Sequence, residues 1–370
     1  MVYVDLAQFW RDEETSHENN CFNPKASQAA LGIRMSDECV FEELGEPGNP
    51  WGVTPREQKI ELNKRYNDKA EKIVGKRLLR EIIPSEDEAF PEIKQIGEIF
   101  GGRYSFNGQS TWLEGSCSTP KELEAVLDKA ERLNLREFIL PQNWESEKTR
   151  LFQKYGIKPS IWRGVRGPVT LAMSIYGVEN MIYMIYDEPD LAHRFSNTIS
   201  NVILDYIKIM DEEAGYAPGE APHGFSFADD DCCLLTPDMY QLFGYPILKR
   251  IFEYCSPNAD DHRYQHSDSA MSHLLPILGE LNLTGCNFGP TVTVSEIRKY
   301  MPNTRIDGQL APFTFMNNDE TAIINEVKRD CVMAKESRGL NVFTAGSINN
   351  GSLLTSMRAV MHAIQNYGRY

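Results

Sequence analysis

Residues 260–290, DDHRYQHSDSAMSHLLPILGELNLTGCNFGP, hold two short runs that read as strands, and each ends in polar groups. The first closes in Tyr264, Gln265, His266, Ser267 and Asp268; an amphipathic segment follows; the second ends in Cys286, Asn287, Phe288 and Gly289. The same unit recurs on both sides. TRIDGQLAP (304–312) places Asp307 and Gln309 after an extended run, and LNVFTAGSINNGS (340–352) places Thr344, Ser347 and Asn349 after another. Upstream, HGFSFADDDCC (223–233) ends in Asp229, Asp230 and Asp231, and KPSIWRGVRGP (158–168) ends in Arg163 and Arg166. Strand, polar tip and helix in repetition is the pattern of a parallel α/β barrel. The expected fold is α/β, a (β/α)8 TIM barrel with an N-terminal helical extension.

Residues 1–100 differ from the rest. They are charged, broken by EPGNPWG, and carry a helical pattern in NKRYNDKAEKIVGKRLLREII (63–83), so they are expected to form an extension or cap, with the barrel in residues 101–370. FGGRYSFNGQSTWLEGSCS (100–118) alternates aromatic residues and glycines and reads as a small extended element, too irregular for a phosphate loop. From Thr119 the helix starts are regular. Thr119-Pro120-Lys121-Glu122 and Thr293 to Glu296 have capping-box spacing. Leu191, Phe195, Ile199, Val202, Tyr206 and Ile209 recur at helical spacing, a second helix starts after Thr236, and Gly339 stands as the terminator of a helix beginning near Asp319. A last helix is expected over 352–366.

Composition bounds the function. The net charge is −15, from 53 acidic and 38 basic residues. Such a field repels nucleic acid and anionic lipid, so neither is expected as a partner. No apolar run reaches the ~20 residues that span a bilayer. The start, MVYVDLAQFWRDEE, has neither the basic flank nor the apolar centre of a signal peptide, which leads to an expected cytoplasmic location. Eight cysteines show no CxxC pair or framework spacing and are expected as free thiols, with Cys232 and Cys233 packing as small hydrophobes. A homodimer is compatible with the sequence.

In a parallel barrel the carboxyl ends of the strands face one way, so the polar tips converge. The candidate catalytic residues are Asp230, Asp231, His266 and Asp268. Two readings of these tips stand side by side. In one, His266 with Asp229, Asp230 and Cys286 holds a divalent metal such as Zn2+, which accepts nitrogen, oxygen and sulfur donors and polarises a substrate oxygen. In the other, His266 bonds to a neighbouring carboxylate or backbone group and two of the three aspartates cap the helix starting near Thr236 or face solvent; alternation sends neighbours in Asp229 to Asp231 to opposite faces. Arg163 and Arg166 either clamp a carboxylate or phosphate through their paired donors or form structural ion pairs. Tyr264, Asn287, Phe288 and Gln309 complete the expected substrate-binding set, and Phe313 joins the aromatic residues near the mouth.

These residues also carry a resemblance. RGPVTLAMSIYGVENMIYMIYDEPDLAHRF (166–195) resembles the GP-x-T-x-A … G … D-x-P segment of the uroporphyrinogen decarboxylase superfamily, and FADDDCCLLTPDMYQLFGYPILKRIFE (227–253) is similar to its D … P-e-x-y … P segment. HSDSAMSHLLPILGELNL resembles the family's histidine-containing strand and following helix, and TAGSINNGS with AIQNYGRY its last unit. The resemblance spans about residues 100–370 and implies a (β/α)8 barrel. The superfamily holds cofactor-free decarboxylases and corrinoid-linked methyltransferases. The decarboxylases share an amino-terminal R-Q-A-G-R motif; here only GIRMSDE, around Arg34, stands near that place. The thiol-activating methyltransferases carry zinc on His-x-Cys and a later Cys; here the first reads His266-Ser267-Asp268 and the later place falls in Thr344 to Ser347. What the resemblance then implies is the branch that takes a methyl group from a small donor, such as an aromatic methyl ether, and passes it to the cobalt of a corrinoid (cobalamin) on a partner protein. A decarboxylase of a smaller acid and a non-catalytic binding barrel are the alternatives.

Overall fold

The computed structural model describes residues 1–348 and 350–370, so the expectation placed on Asn349 lies outside the described residues. Two compact units are present, one of residues 1–83 with 264–370 and one of residues 84–263. The strands in chain order are β1 (Ala30–Leu31), β2 (Arg103–Phe106), β3 (Thr111–Glu114), β4 (Gly164–Arg166), β5 (Phe225–Ala228), β6 (Arg263–Ser267), β7 (Gly285–Phe288), β8 (Arg305–Leu310) and β9 (Leu340–Thr344). All but the β2–β3 pair run parallel, with helices between them, as the expected α/β class requires. Among the described residues seven strands are parallel, one fewer than a (β/α)8 repeat counts.

In the first unit the order is β6, β7, β8, β9, β1. Register decides which side chains become neighbours. Tyr264 lies level with Gly285 and His266 with Asn287; Gly285 lies level with Arg305, and Asp307 with Asn341. Alternate residues share a face, so Tyr264, His266, Asn287, Arg305 and Asp307 stand on one side. Gln265, Ser267, Cys286, Phe288 and Ile306 stand on the other, all fully buried. Gly285 is small for a reason: a Cβ there would meet the Tyr264 ring at 2.8 Å and the Arg305 guanidinium at 3.4 Å. The helices Glu320–Ala334 and Leu354–Tyr367 cover β8, β9 and β1. Ile323 and Val327 of one and Val360 and Ile364 of the other are fully buried, each contributing about 1.5–3 kcal/mol by removal from water.

The two-residue strand β1 was not visible in the sequence; it pairs with β9 through Ala30 and Leu31. The helix expected over 63–83 is also corrected. It runs Arg56–Val74 and stops at Gly75, whose φ of 77° is left-handed backbone that glycine adopts without cost. Buried Asn67 then holds the returning chain: its Oδ1 accepts from Leu78 N (2.8 Å) and Leu79 N (2.9 Å), and its Nδ2 donates to Leu79 O (2.8 Å).

In the second unit β4 pairs with β5, and the β2–β3 hairpin accounts for the extended element of residues 100–118. The helix Pro189–Glu213 buries Leu191, Phe195, Ile199, Val202 and Tyr206, the face its spacing indicated, while Ile209 of that spacing is half-buried. Phe195 packs edge-on against Phe100 and Phe243 at 6.0 and 5.7 Å, an aromatic arrangement favoured beyond simple burial. Both expected capping boxes form, at Thr119 with Glu122 and at Thr293 with Glu296. All eight cysteines are free. Among the described residues no helix is long and apolar enough to cross a membrane.

Candidate active site

The first unit has a cavity of about 320 Å³ at the carboxyl ends of its strands. Tyr264 and His266 line it from β6, Asn287 from β7, and Phe343, Gly346 and Ser347 from β9 and the turn after it; Arg34, Ser36 and Glu38 come from the segment after β1. The volume suits a small molecule.

The imidazole of His266 is held from behind. Its Nδ1 stands 2.8 Å from Asn287 Oδ1, while Asn287 Nδ2 donates to the Thr344 carbonyl at 3.0 Å and to the Asp307 carbonyl. Carbonyls only accept, so both amide hydrogens of Asn287 are committed and its oxygen is the atom that faces the ring. Oδ1 also only accepts, so the proton of His266 sits on Nδ1. Nε2 is left as the atom that takes or gives a proton, or ligates a cation. Asp268, two residues on, brings a carboxylate oxygen within 4.8 Å of a His266 ring nitrogen. Gly346, with φ 124°, leaves the room this needs: a Cβ there would sit 3.0 Å from the Asp268 Cβ.

Beneath these groups Asp307 takes both forks of Arg305, at 2.7 and 2.8 Å, and accepts from Asn341 Nδ2 at 2.8 Å. Arg305 reaches on to Asn20 Oδ1 at 2.8 Å. Burial, and then the charge of Asp307, to which its hydroxyl is hydrogen-bonded, push the Tyr264 phenol far above its ordinary range, so it stays neutral.

In the second unit the three aspartates after β5 separate into different roles. Asp229 is fully buried and caps the helix Pro168–Tyr176: Oδ1 accepts from Thr170 N at 2.8 Å and Oδ2 from Val169 N at 3.4 Å. Burial pushes its carboxyl up to about 7 against the pull of those amides. Both oxygens accept from backbone amides at the start of that helix, so Asp229 serves as a helix cap. Asp230 is half-buried and opens the short turn Asp231–Leu234. Asp231 is half-buried as well; desolvation raises its carboxyl above the usual range while the Arg166 charge pulls it down.

The arginines before and at the end of β4 also part. Arg163 is structural: Nε donates to Pro222 O (2.9 Å), Nη1 to Trp162 O (3.0 Å) and Nη2 to Asp211 (2.8 Å). Arg166 has no such set, and its Nε is buried without an acceptor among the described residues.

Three further candidates are fully buried and do not line the cavity. Cys286 points to the helix side of β7, fully buried, and burial pushes its thiol far up, so it offers no thiolate to a metal at His266. Phe288 shares that face and is fully buried. Gln309 is fully buried too, and its Nε2 donates to Gly289 O (3.0 Å) and Val292 O (2.6 Å), tying down the turn after β7. Phe313 is exposed. Arg34, Ser36, Glu38 and Phe343 were not among the sequence candidates. The signal was present in ALGIRMSDE, a short apolar run ending in polar residues, yet it lies in the region read as a cap.

The model of the family described as Uroporphyrinogen decarboxylase (URO-D) matches residues 150–367, more than half of the chain. The chain belongs to the uroporphyrinogen decarboxylase family. Within this family assignment, a solved structure of a methyltransferase from Methanosarcina mazei is similar in fold, with a TM-score of 0.56 over 93% of this chain and 95% of that one. Sequence identity is 15%, so the likeness is one of fold. No curated relative matches the chain.

Proposed function

We propose that this member of the uroporphyrinogen decarboxylase family is a methyltransferase that moves a methyl group from a small methyl ether to the cobalt of a corrinoid carried on a partner protein. The observation that carries the reading is the clamped imidazole of His266 in a small cavity, with Asp268 beside it. The chain lacks R-Q-A-G-R at its amino terminus and has no thiolate at His266-x-Asp268, which favours a donor-side enzyme over a porphyrinogen decarboxylase or a thiol methyltransferase. The methyltransferase from Methanosarcina mazei with a similar fold supports the same direction.

Transfer breaks the bond between the methyl carbon and the ether oxygen and forms a bond from that carbon to cob(I)alamin, whose electron pair makes it. The oxygen departs with the other pair, and a proton or positive charge at that atom lowers the barrier. His266 keeps its Nδ1 proton on Asn287, so in the metal-free enzyme Nε2 is the atom that hands a proton to the leaving oxygen. Tyr264, a neutral phenol on the same wall, and Phe343 pack against the carbon part of the donor. Asp268 holds the position next to the ring.

The donor set at His266 fits a borderline divalent cation such as Zn2+, with imidazole nitrogen and carboxylate oxygen and with the second ring nitrogen already oriented. His266 and Asp268 would hold it, and when bound it supplies Lewis acidity at the donor oxygen. Elemental analysis of the purified protein and of His266→Ala, Asp268→Ala, Asp230→Ala and Cys286→Ser tests this. About one equivalent of zinc, lost with His266 or Asp268 and kept in Cys286→Ser, is the expected result. Metal retained in His266→Ala contradicts the assignment, and turnover by metal-free protein leaves proton delivery by His266 as the route.

A further inference from the structure

The cavity of the first unit has a cation in its wall besides the imidazole. Arg34 lines it from the segment after β1, and His266 lines it from β6. In the strand run β6, β7, β8, β9, β1 these two come from the outermost strands, with three strands between them. A small molecule in contact with both therefore spans the cavity. Ile33 and Met35, on either side of Arg34, are buried and anchor the backbone that carries it. The guanidinium itself is exposed and makes no hydrogen bond or ion pair among the described residues. Structural arginines of the same unit look different. Arg305 gives both forks to Asp307 and a further donor to Asn20, and Arg338 donates to the carbonyls of Asn23, Pro24 and Ala26. Glu38 lines the same cavity, yet no ion pair joins it to Arg34. In a chain of net charge −15, an uncommitted guanidinium in a concave wall marks the place where that cavity accepts an anion.

We infer that Arg34 binds a carboxylate at the end of the methyl donor remote from its ether, so that the donor is an aryl methyl ether with the acid group opposite the methoxy group. A guanidinium pairs with a carboxylate through two parallel N–H donors, and all of those of Arg34 are uncommitted. The word donor rests on the methyl-transfer reading; the carboxylate site at Arg34 does not.

The test uses the full chain, with binding followed by calorimetry for two matched probes, 4-methoxybenzoate and 4-methoxybenzamide. The acid binds at least ~10-fold more tightly than the amide. Arg34→Gln brings the two to equal affinity by weakening the acid alone, and Arg34→Lys retains part of the preference. Arg80→Gln removes the same charge from an exposed place outside the cavity and leaves the preference unchanged. Equal affinity of the unaltered protein for acid and amide overturns the inference, as does an acid preference that survives in Arg34→Gln or falls equally in Arg80→Gln. Methyl transfer to cob(I)alamin is measured separately. 4-Methoxybenzoate reacts faster than 2-methoxybenzoate, whose acid adjoins the ether; equal rates from the two isomers overturn the placement of the acid. An Arg34-dependent acid preference without transfer keeps the carboxylate site and removes the donor reading, whereas transfer at equal rates from acid and amide does the reverse.

Discussion

Asn287 Oδ1 stands 2.8 Å from His266 Nδ1, and both hydrogens of the same amide are spent on the carbonyls of Asp307 and Thr344. One residue of β7 thereby reads the backbone of β8 and β9 and sets the tautomer of a histidine on β6. Groups that orient a reacting or ligating histidine are worth about 10–100-fold in activity or metal affinity. Asn287→Ala is expected to lower kcat by that order while KM moves little. Nitrogen NMR of His266 checks the cause: the neutral ring is protonated at Nδ1 in the unaltered protein and loses that single form in the variant. A single Nε2-protonated form in the unaltered protein contradicts the assignment.

Gly167 and Asp229 are fitted to each other. A Cβ on residue 167 would lie 2.1 Å from the Asp229 Cβ, and neither the buried carboxylate nor the helix it caps has room to retreat. Gly167→Ala is expected to cost about 1–3 kcal/mol, the usual range for overpacking. Urea unfolding with an unchanged slope and a lowered midpoint is the predicted observation; an unchanged midpoint refutes it.

Glu213 gives the second unit a dependence on pH. Its buried carboxylate accepts from Trp144 Nε1 and Lys148 Nζ, each at 2.7 Å, and pairs with Arg136. Burial alone would raise its pKa, but Lys148, Trp144 and Arg136 together bring it below the usual carboxylate value. A lowered folded pKa means stability that is present above the ordinary glutamate range and is lost as pH falls through the folded value. Glu213→Gln is expected to cost about 1.5–3 kcal/mol at neutral pH, the range for hydrogen bonds to a charged group, while Arg136 keeps Glu212 and Lys148 keeps Glu145. It also flattens the fall in melting temperature toward acid. An acid profile identical to the unaltered protein counts against this role.

The strand-and-tip rhythm was legible because period-two alternation and polar strand ends are local properties. So were the helix starts at Thr119 and Thr293, where a capping residue and a glutamate three positions on declare themselves. Which side of a strand faces the cavity was not local. His266 and Cys286 both stand near strand ends in sequence, yet only register and the helices packed behind β7 put Asn287 beside the histidine and Cys286 behind it. Asp229, Asp230 and Asp231 are chemically alike in sequence, and it is the start of the helix at Pro168, about 60 residues earlier, that claims the first as a cap. Arg34 was not placed at the cavity because β1 is two residues long and its partner β9 lies near the other end of the chain.

Incubation of the purified protein with 4-methoxybenzoate and cob(I)alamin, following the cobalamin spectrum, is the most direct test of the central claim. Conversion to methylcobalamin with release of 4-hydroxybenzoate, reduced by about 10²–10⁴-fold in His266→Ala as loss of a proton donor or cation ligand requires, is the predicted result. Release of carbon dioxide without methylcobalamin, or a rate untouched by His266→Ala, contradicts it.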